Sequence, residues 1–374
     1  MRSSHPAPFE PPVYPYERLA GAMEKAKAHE GGMVDLSIGT PCDAPPPAVV
    51  RALGESNAER GYPMSVGSPR YREAAAGWLA RRFHVDVDAS HVYACVGTKE
   101  LVGMLPHWLR LRDPGRDTVL YPAVSYPTYE MGATLARCRA VPVPVDGRWR
   151  LDLGAVEEAD ARRALVLWLN SPGNPAGQVD DLAAAAAWGR AHDVPVFSDE
   201  CYSEFTWVGS PRTILEHGLD GVVAVHSLSK RSNLAGLRAG FYAGDPSLVH
   251  YLSEVRKHTG LLVPGPVQAA AAVALDDDAH VDAQRARYHQ RIERFGQVLA
   301  ALDVAARPPE GGFYLWGAVP DGDAWAFTER LAADAGCLVS PGDLYGAPGA
   351  GHVRVALVQP LDRLDLVAER LGVS

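Results

Sequence analysis

Short apolar runs, each bounded by turn residues, alternate with Ala- and Leu-rich amphipathic stretches over the first three quarters of the chain. Apolar runs without a two-residue alternation predict strands that are buried on both faces of a sheet. The runs lie at residues 91–96, 118–121, 164–169, 194–198, 221–226 and 239–243. The stretches at residues 71–83 and 181–192 predict helices that connect such strands. The pattern therefore predicts an α/β fold with a mainly parallel central sheet flanked by helices.

The pattern changes after about residue 275. Residues 282–302 predict one long charged helix, residues 312–316 and 352–358 predict strands, and residues 361–371 predict a last helix. A chain of 374 residues exceeds one ordinary hydrophobic core. We therefore predict a large domain over residues 46–275 and a smaller α+β domain formed by residues 1–45 and 276–374.

Composition narrows the class of protein and its compartment. A formal net charge of −9 and the absence of any Lys/Arg run argue against a nucleic-acid partner. The five cysteines are scattered singly, which fits neither a disulfide framework nor a metal site and predicts reduced thiols. Residues 1–15 are polar and proline-rich, and no apolar segment is long enough to cross a membrane. We therefore predict a cytoplasmic protein without a membrane partner.

One segment after the run at residues 221–226 carries the clearest chemistry. Ser227 and Ser229 provide hydroxyls and Arg238 provides a guanidinium, which are groups that bind phosphate. Lys230 lies among them, and its amine can condense with an aldehyde to a Schiff base. Pyridoxal 5′-phosphate carries an aldehyde, a phosphate and a basic ring nitrogen. The segment therefore predicts pyridoxal 5′-phosphate as the cofactor.

Other polar residues follow neighbouring predicted strands, whose carboxyl ends meet at one edge of a parallel sheet. Asp199 can keep the ring nitrogen protonated, while Asn174 and Tyr202 suit the ring hydroxyl. Taken singly, an Asp or Lys at a strand end is more often a cap or a solvated charge, but the conjunction favours a cofactor site. A predicted helix start with free backbone N–H groups completes the phosphate site at Gly97, Thr98 and Lys99.

These motifs together resemble the class I/II aminotransferases of pyridoxal-phosphate fold type I, along nearly the whole chain. The matching segments are LSIGTP at 36–41, YPMSVGSPRYR at 62–72, GTKE at 97–100, SPGNPAG at 171–177, SDECY at 198–202, SLSK at 227–230, GGFYLW at 311–316 and HVRVAL at 352–357. The resemblance implies that Lys230 tethers the cofactor and then transfers a proton as general base and acid. It implies that Asp199 pairs with the ring nitrogen and that Asn174 and Tyr202 flank the ring hydroxyl, with Asn174 also near the substrate.

The same resemblance implies a substrate site and a dimer. Arg354 would clamp the substrate α-carboxylate, helped by the backbone at Gly39. Tyr62 would reach the phosphate of the neighbouring subunit, which implies a homodimer with shared active sites. The usual ring-stacking position is Ala123 here, so we expect Tyr126 to stack on the cofactor instead.

Within the family, the chain is most similar to actinobacterial N-succinyldiaminopimelate aminotransferases. The segments that carry this likeness are 9–19, 97–109, 123–133 and 340–357. The implied reaction moves an amino group from an amino-acid donor, N-succinyl-LL-2,6-diaminopimelate, to 2-oxoglutarate, within lysine and diaminopimelate biosynthesis. The distal substrate carboxylates then need further cations, for which the candidates are Arg60, Arg70, Lys99, Arg256 and Lys257.

Three alternatives stay open at this point. The amino donor could be LL-diaminopimelate, aspartate or an aromatic amino acid. The same cofactor site could serve a fold type I C–S lyase or a decarboxylase. Some transcription regulators also use an aminotransferase-like domain as an effector sensor, but they carry a basic winged-helix domain, and only about 45 residues precede the predicted large domain.

Overall fold

A computed structural model describes residues 8–373 of the chain. The strands are β1 (Val34–Asp35), β2 (Val92–Cys95), β3 (Thr118–Pro122), β4 (Arg139–Val143), β5 (Ala164–Asn170), β6 (Val196–Asp199), β7 (Val222–Ser227), β8 (Gly240–Gly244), β9 (Ala305–Ala306), β10 (Tyr314–Ala318), β11 (Cys337–Leu338), β12 (Ser340–Pro341) and β13 (His352–Ala356). The helices are α1 (Ala20–Lys27), α2 (Pro47–Glu55), α3 (Pro69–Phe83), α4 (Thr98–Arg112), α5 (Thr128–Leu135), α6 (Glu158–Ala161), α7 (Leu182–His192), α8 (Leu228–Arg231), α9 (Pro246–His258), α10 (Gly265–Asp276), α11 (Ala279–Ala301), α12 (Ala324–Ala335) and α13 (Leu361–Arg370).

The largest sheet has seven strands in the order β2-β8-β7-β6-β5-β3-β4. Strands β3 to β7 pair in parallel, whereas β8 is antiparallel to both of its neighbours, β7 and β2. All six predicted runs are strands of this sheet, so the prediction of a mainly parallel α/β sheet is confirmed. Strand β4 was not predicted, because it lies at the edge of the sheet and is only partly buried.

The sheet is buried on both faces, as its continuous apolar runs require. In β5, Leu167 packs on one face with Trp78 of α3, while the next residue, Trp168, packs on the opposite face with Trp108 of α4. Successive side chains of a strand point to opposite faces, so each strand contributes to two apolar clusters. Helix α7 begins where Asp181 accepts a hydrogen bond from the Ala184 N–H, close to the predicted start.

The C-terminal part contains a four-stranded antiparallel sheet in the order β12-β13-β10-β9. The predicted long helix is α11, and the predicted strand at residues 312–316 begins later, at Tyr314, because Gly312 has a φ of +76°. The N-terminal strand β1 pairs in parallel with β11, and Val34 and Leu36 pack with Leu299 of α11 and Val355 of β13. The N-terminal segment therefore packs with C-terminal elements, while the division into domains stays a prediction.

Candidate active site

A pocket of about 320 Å³ opens at the carboxyl edge of the seven-stranded sheet. The turns after β2, β3, β5, β6 and β7 meet there because these strands run in the same direction. Strand β8 runs the opposite way, so its beginning lies at this edge. That reversal places Arg238, two residues before β8, in the same pocket as Lys230.

Most of the predicted site residues line this pocket. They are Gly39, Thr98, Lys99, Tyr126, Asn174, Asp199, Tyr202, Ser227, Ser229, Lys230, Arg238 and Arg354. Gly97 does not line it but lies behind Arg238, and a Cβ atom at this glycine would overlap the guanidinium. Its φ of +70° also favours glycine. Tyr62 lies outside the pocket and is 100% exposed in the single chain.

Lys230 is held in the pocket by a short capped helix. Ser227 caps α8, since its hydroxyl accepts a 3.2 Å hydrogen bond from the Ser229 N–H. The Lys230 Nζ atom donates to the carbonyl oxygen of Gly39. Burial is the main cause that lowers the pKa of Lys230 to about 8; Arg354 and Arg238 contribute to the lowering, while Cys201 and Asp199 oppose it. The amine is therefore partly uncharged near neutral pH, as a nucleophile or a base requires.

Asp199 ends β6 inside the pocket and is only 6% exposed. Its Oδ2 atom accepts a 2.9 Å hydrogen bond from the Tyr129 hydroxyl, and its Oδ1 atom accepts one of 3.2 Å from the Cys201 N–H. Burial raises the pKa of Asp199, although these two donors and Lys230 oppose the rise. A buried carboxylate of this kind gains stability from a cationic partner such as a protonated ring nitrogen.

Sequence reasoning missed Tyr129, which is fully buried and stacked on Trp168 with ring centroids 5.1 Å apart. The available signal was a second tyrosine three residues after Tyr126, in the first turn of α5, and the two ring centres lie 6.0 Å apart. Asn170 was also missed. Its side chain accepts a 2.8 Å hydrogen bond from the Asn174 N–H and donates one of 2.9 Å to the Asp199 carbonyl oxygen, which joins the ends of β5 and β6.

Arg354 lies in β13 and is 1% exposed. Its Nη1 atom donates a 2.8 Å hydrogen bond to Asn174 Oδ1, and its Nη2 atom donates to the carbonyl oxygen of Ser37. The guanidinium lies 4.5 Å from the ring centre of Tyr314 and 4.7 Å from that of Tyr345. Within residues 8–373 no carboxylate pairs with this buried charge. A buried arginine without a counter-ion is suited to bind an anionic ligand.

The N-terminal segment supplies two more missed residues, Tyr14 and Tyr16, which line the pocket although nothing in their local sequence indicates it. Lys99 Nζ donates a 3.0 Å hydrogen bond to the Tyr14 hydroxyl and lies 4.7 Å from its ring centre. In the described part of the chain, Lys99 pairs with no carboxylate. It is therefore a cation at the pocket that is available for a ligand.

The other candidates for the distal carboxylates lie outside this pocket. Arg60 has a side chain that is 83% exposed. The remaining ones form ion pairs, which join Arg70 to Asp276, Arg256 to Glu100 and Lys257 to Glu254. Within the described single chain, Lys99 alone among the five lines the pocket.

Comparison with known proteins agrees with the geometry. The sequence model described as "Aminotransferase class I and II" matches residues 31–371. The chain is 42% identical over 370 residues to the 4-dedimethylamino-4-oxo-anhydrotetracycline transaminase OxyQ of Streptomyces rimosus, covering 97% of this chain and 99% of that protein. It is 36% identical over 375 residues to an LL-diaminopimelate aminotransferase of Desulforudis audaxviator, covering 96% of this chain and 95% of that protein.

A solved structure shows the same fold. It is the probable N-succinyldiaminopimelate aminotransferase of Thermus thermophilus, with a TM-score of 0.86, 32% identity, and coverage of 95% of this chain and 98% of that chain. The mainly parallel sheet and its flanking helices are therefore those of fold type I aminotransferases. The chain belongs to the class I and II aminotransferases, and it is a transaminase that uses pyridoxal 5′-phosphate to move amino groups between amino acids and keto acids.

Proposed function

We propose that the chain transfers an amino group from N-succinyl-LL-2,6-diaminopimelate to 2-oxoglutarate, in lysine and diaminopimelate biosynthesis. The observation that carries this proposal is the pair of cations without carboxylate partners in the described chain, Arg354 inside the pocket and Lys99 at its edge. Two separated cations suit a substrate with one α-carboxylate and a second carboxylate farther along. The diaminopimelate derivatives and 2-oxoglutarate have that arrangement of charges.

The pocket residues fit pyridoxal 5′-phosphate. Arg238 with the hydroxyls of Thr98, Ser227 and Ser229 forms a set of phosphate donors at the starts of α4 and α8. Glycine at position 97 leaves the space that the guanidinium occupies. We infer that the buried carboxylate of Asp199 pairs with the ring nitrogen, that Tyr126 packs on the ring, and that Asn174 and Tyr202 lie beside its hydroxyl.

The chemistry then divides among few residues. When bound, the cofactor supplies an electron sink for the substrate α-carbon. Lys230 holds the cofactor and, once free, removes the α-proton at its Nζ atom and returns a proton later, which its lowered pKa of about 8 permits. Arg354 and the Gly39 backbone hold the α-carboxylate, while Asn174 orients Arg354 through the 2.8 Å hydrogen bond.

We also infer a homodimer with shared active sites, located in the cytoplasm. Tyr62 is an aromatic residue that is fully exposed in the single chain, and a subunit interface would bury it. The family resemblance implies that its hydroxyl contacts the cofactor phosphate bound in the neighbouring subunit. The five cysteines carry no disulfide bond, which suits a reducing compartment. Among the helices within residues 8–373, none has both the length and the apolar character needed to cross a membrane.

A second candidate function follows from the similarity to OxyQ, whose name refers to a large cyclic ketone. The identity of 42% over 97% of this chain is the observation that favours it. Such an acceptor has no carboxylate for Lys99, although its amino donor still needs Arg354. The two candidates therefore differ in their need for Lys99.

An amino-donor panel tests the proposal. Purified protein is supplied with 2-oxoglutarate and with N-succinyl-LL-2,6-diaminopimelate, LL-diaminopimelate, acetylornithine, aspartate or an aromatic amino acid, and glutamate formation is measured. We expect the highest kcat/KM with the succinylated substrate. Preference for LL-diaminopimelate, or transfer from glutamate to the tetracycline ketone alone, would reject the proposed substrate while leaving the transaminase class intact. Pyruvate and ammonia released without an acceptor would identify a lyase.

A further inference from the structure

Tyr314 in β10 touches three parts of the active site that arrive from different elements. Its hydroxyl lies 2.8 Å from the Tyr202 hydroxyl, and its ring centre lies 4.5 Å from the Arg354 guanidinium. Its hydroxyl also lies directly against Gly39, so a Cβ atom at position 39 would overlap the hydroxyl oxygen of Tyr314. The side chain is 1% exposed, so each of these contacts is made in a water-poor environment.

The strand register explains why one side chain reaches both Arg354 and Tyr202. Trp316 lies opposite Arg354 across the β10–β13 pair, and Tyr314 lies opposite Ala356. Tyr314 is therefore a diagonal neighbour of Arg354 on the same face of the small sheet. Its hydroxyl extends past the guanidinium to Tyr202, which follows β6 of the large sheet. Tyr314 thus connects the two sheets across the pocket.

The direction of the hydrogen bond between the two phenols follows from their surroundings. Burial raises the pKa of Tyr314 to about 12 while Arg354 opposes the rise, and burial raises the pKa of Tyr202 well above its ordinary value. Both hydroxyls are consequently protonated at neutral pH. The cation over the ring makes Tyr314 the better donor, so its proton goes to the Tyr202 oxygen. The Tyr202 proton is then free to be donated into the pocket.

We propose that Tyr314 is a positioning residue that acts through Tyr202: its hydroxyl fixes the Tyr202 phenol as a donor to the cofactor's ring oxygen, while its ring holds the Arg354 guanidinium. The inference rests on the proposed place of Tyr202 beside that oxygen. It assigns two separable tasks to one side chain, one to the hydroxyl and one to the ring.

The test compares Tyr314→Phe, Tyr314→Leu and a matched control, Tyr345→Phe. Tyr345 also packs on Arg354, at 4.7 Å, but its hydroxyl lies 3.1 Å from that of Tyr16 and not from that of Tyr202. The readout is the pH midpoint of the visible absorption change of the resting, cofactor-loaded protein. In Tyr314→Phe we expect an upward shift of about half a unit to one unit, the size of one lost hydrogen bond, because a weaker donor stabilises the ring oxyanion less.

The two tasks separate in the kinetics. Tyr314→Phe keeps the ring, so the KM of the amino donor should stay within about twofold while kcat falls, whereas Tyr314→Leu should also raise that KM about tenfold. Tyr345→Phe should leave the midpoint unchanged. An unchanged midpoint in Tyr314→Phe, or equal shifts in Tyr314→Phe and Tyr345→Phe, would overturn the proposal. The spectrum of the resting protein is recorded without substrate. A shift of its midpoint therefore tests the role of Tyr314 even if the protein proves to use a different amino donor.

A second measurement works without cofactor. Gly39→Ala would place a methyl group against the Tyr314 hydroxyl and should lower the Tm of the apo-protein. The same substitution in the Tyr314→Phe background should cost less, because the overlapping hydroxyl is gone. Additive losses in Tm would show that Tyr314 does not occupy the space above Gly39 and would also contradict the proposed position.

Discussion

The Tyr129 hydroxyl donates a 2.9 Å hydrogen bond to Asp199 Oδ2, which joins the first turn of α5 to the end of β6. Tyr129 is fully buried, and the Cys201 N–H binds the other carboxylate oxygen. Both oxygens of Asp199 are therefore oriented before any ligand arrives. A pre-oriented carboxylate loses less conformational entropy when it binds a cationic ring nitrogen.

Tyr129→Phe should therefore weaken cofactor affinity by about tenfold, the effect of losing a hydrogen bond to a charged group. The measurement is titration of apo-protein with pyridoxal 5′-phosphate. Tyr288→Phe is the matched control, since Tyr288 is equally buried and its hydroxyl has no hydrogen-bond partner in the described structure. Equal affinities for the two variants would mean that the Tyr129 hydrogen bond does not prepare Asp199.

Lys230 should capture its cofactor with a pH dependence set by its lowered pKa of about 8. Only the uncharged amine attacks an aldehyde, so the rate of reconstitution of apo-protein should rise with pH through a midpoint near 8 and level off above it. The reaction is followed by visible absorbance from about pH 6 to about pH 10. This range includes the expected midpoint and ends just below the ordinary pKa of a lysine, about 10.4. A midpoint near the ordinary value would contradict the burial argument. Lys230→Ala should lose turnover by about a thousandfold or more.

Arg354→Lys keeps a positive charge but loses the planar fork that binds a carboxylate through two hydrogen bonds. We expect the KM of the amino donor to rise about a hundredfold with the cofactor still bound. Arg256→Lys is the control, because Arg256 is also buried but is paired with Glu100 outside the pocket. It should lower the Tm and leave KM unchanged. An unchanged KM in Arg354→Lys would remove Arg354 from the carboxylate site.

Lys99→Met should discriminate between substrates. It removes the free cation at the pocket edge, so the KM for N-succinyl-LL-2,6-diaminopimelate should rise about tenfold, while that for alanine, which has one carboxylate, should change little. Lys257→Met serves as the control, since Lys257 pairs with Glu254 at the surface. Equal effects on both substrates would mean that Lys99 contributes to the cofactor site and not to recognition of the second carboxylate.

Subunit mixing should show whether Tyr62 serves the neighbouring site. Tyr62→Ala and Lys230→Ala are each expected to have low activity alone. After exchange of subunits, half of the dimers contain one site with Lys230 from one chain and Tyr62 from the other. Activity should then recover to about a quarter of the wild-type value. No recovery in a mixture shown to exchange subunits would reject the shared site.

Much of the pocket could be predicted from the sequence, because its chemistry follows strands that local patterns identify. Lys230, Asp199 and Asn174 each lie at or just after such a run, and the sheet brings strand ends together. Tyr14 could not be predicted, since the N-terminal segment has no periodic pattern and reaches the pocket only through tertiary packing. Tyr129 was missed because the aromatic residue expected in the turn after β3 had already been assigned to Tyr126, three positions earlier.

The sequence by itself determined the sheet type and the cofactor class, and it predicts Lys230 as the lysine that binds the cofactor, because each depends on residue types at the ends of apolar runs. Only the tertiary structure decided which charges remain free. Arg256 is neutralised by Glu100, whereas Arg354 meets tyrosine rings and carbonyl oxygens. The reversal of β8, which places Arg238 beside Lys230, likewise depends on strand pairing. The Arg256–Glu100 pair joins residues 156 positions apart, and the direction of β8 is set by its pairing with both β7 and the distant β2, so no local pattern specifies either.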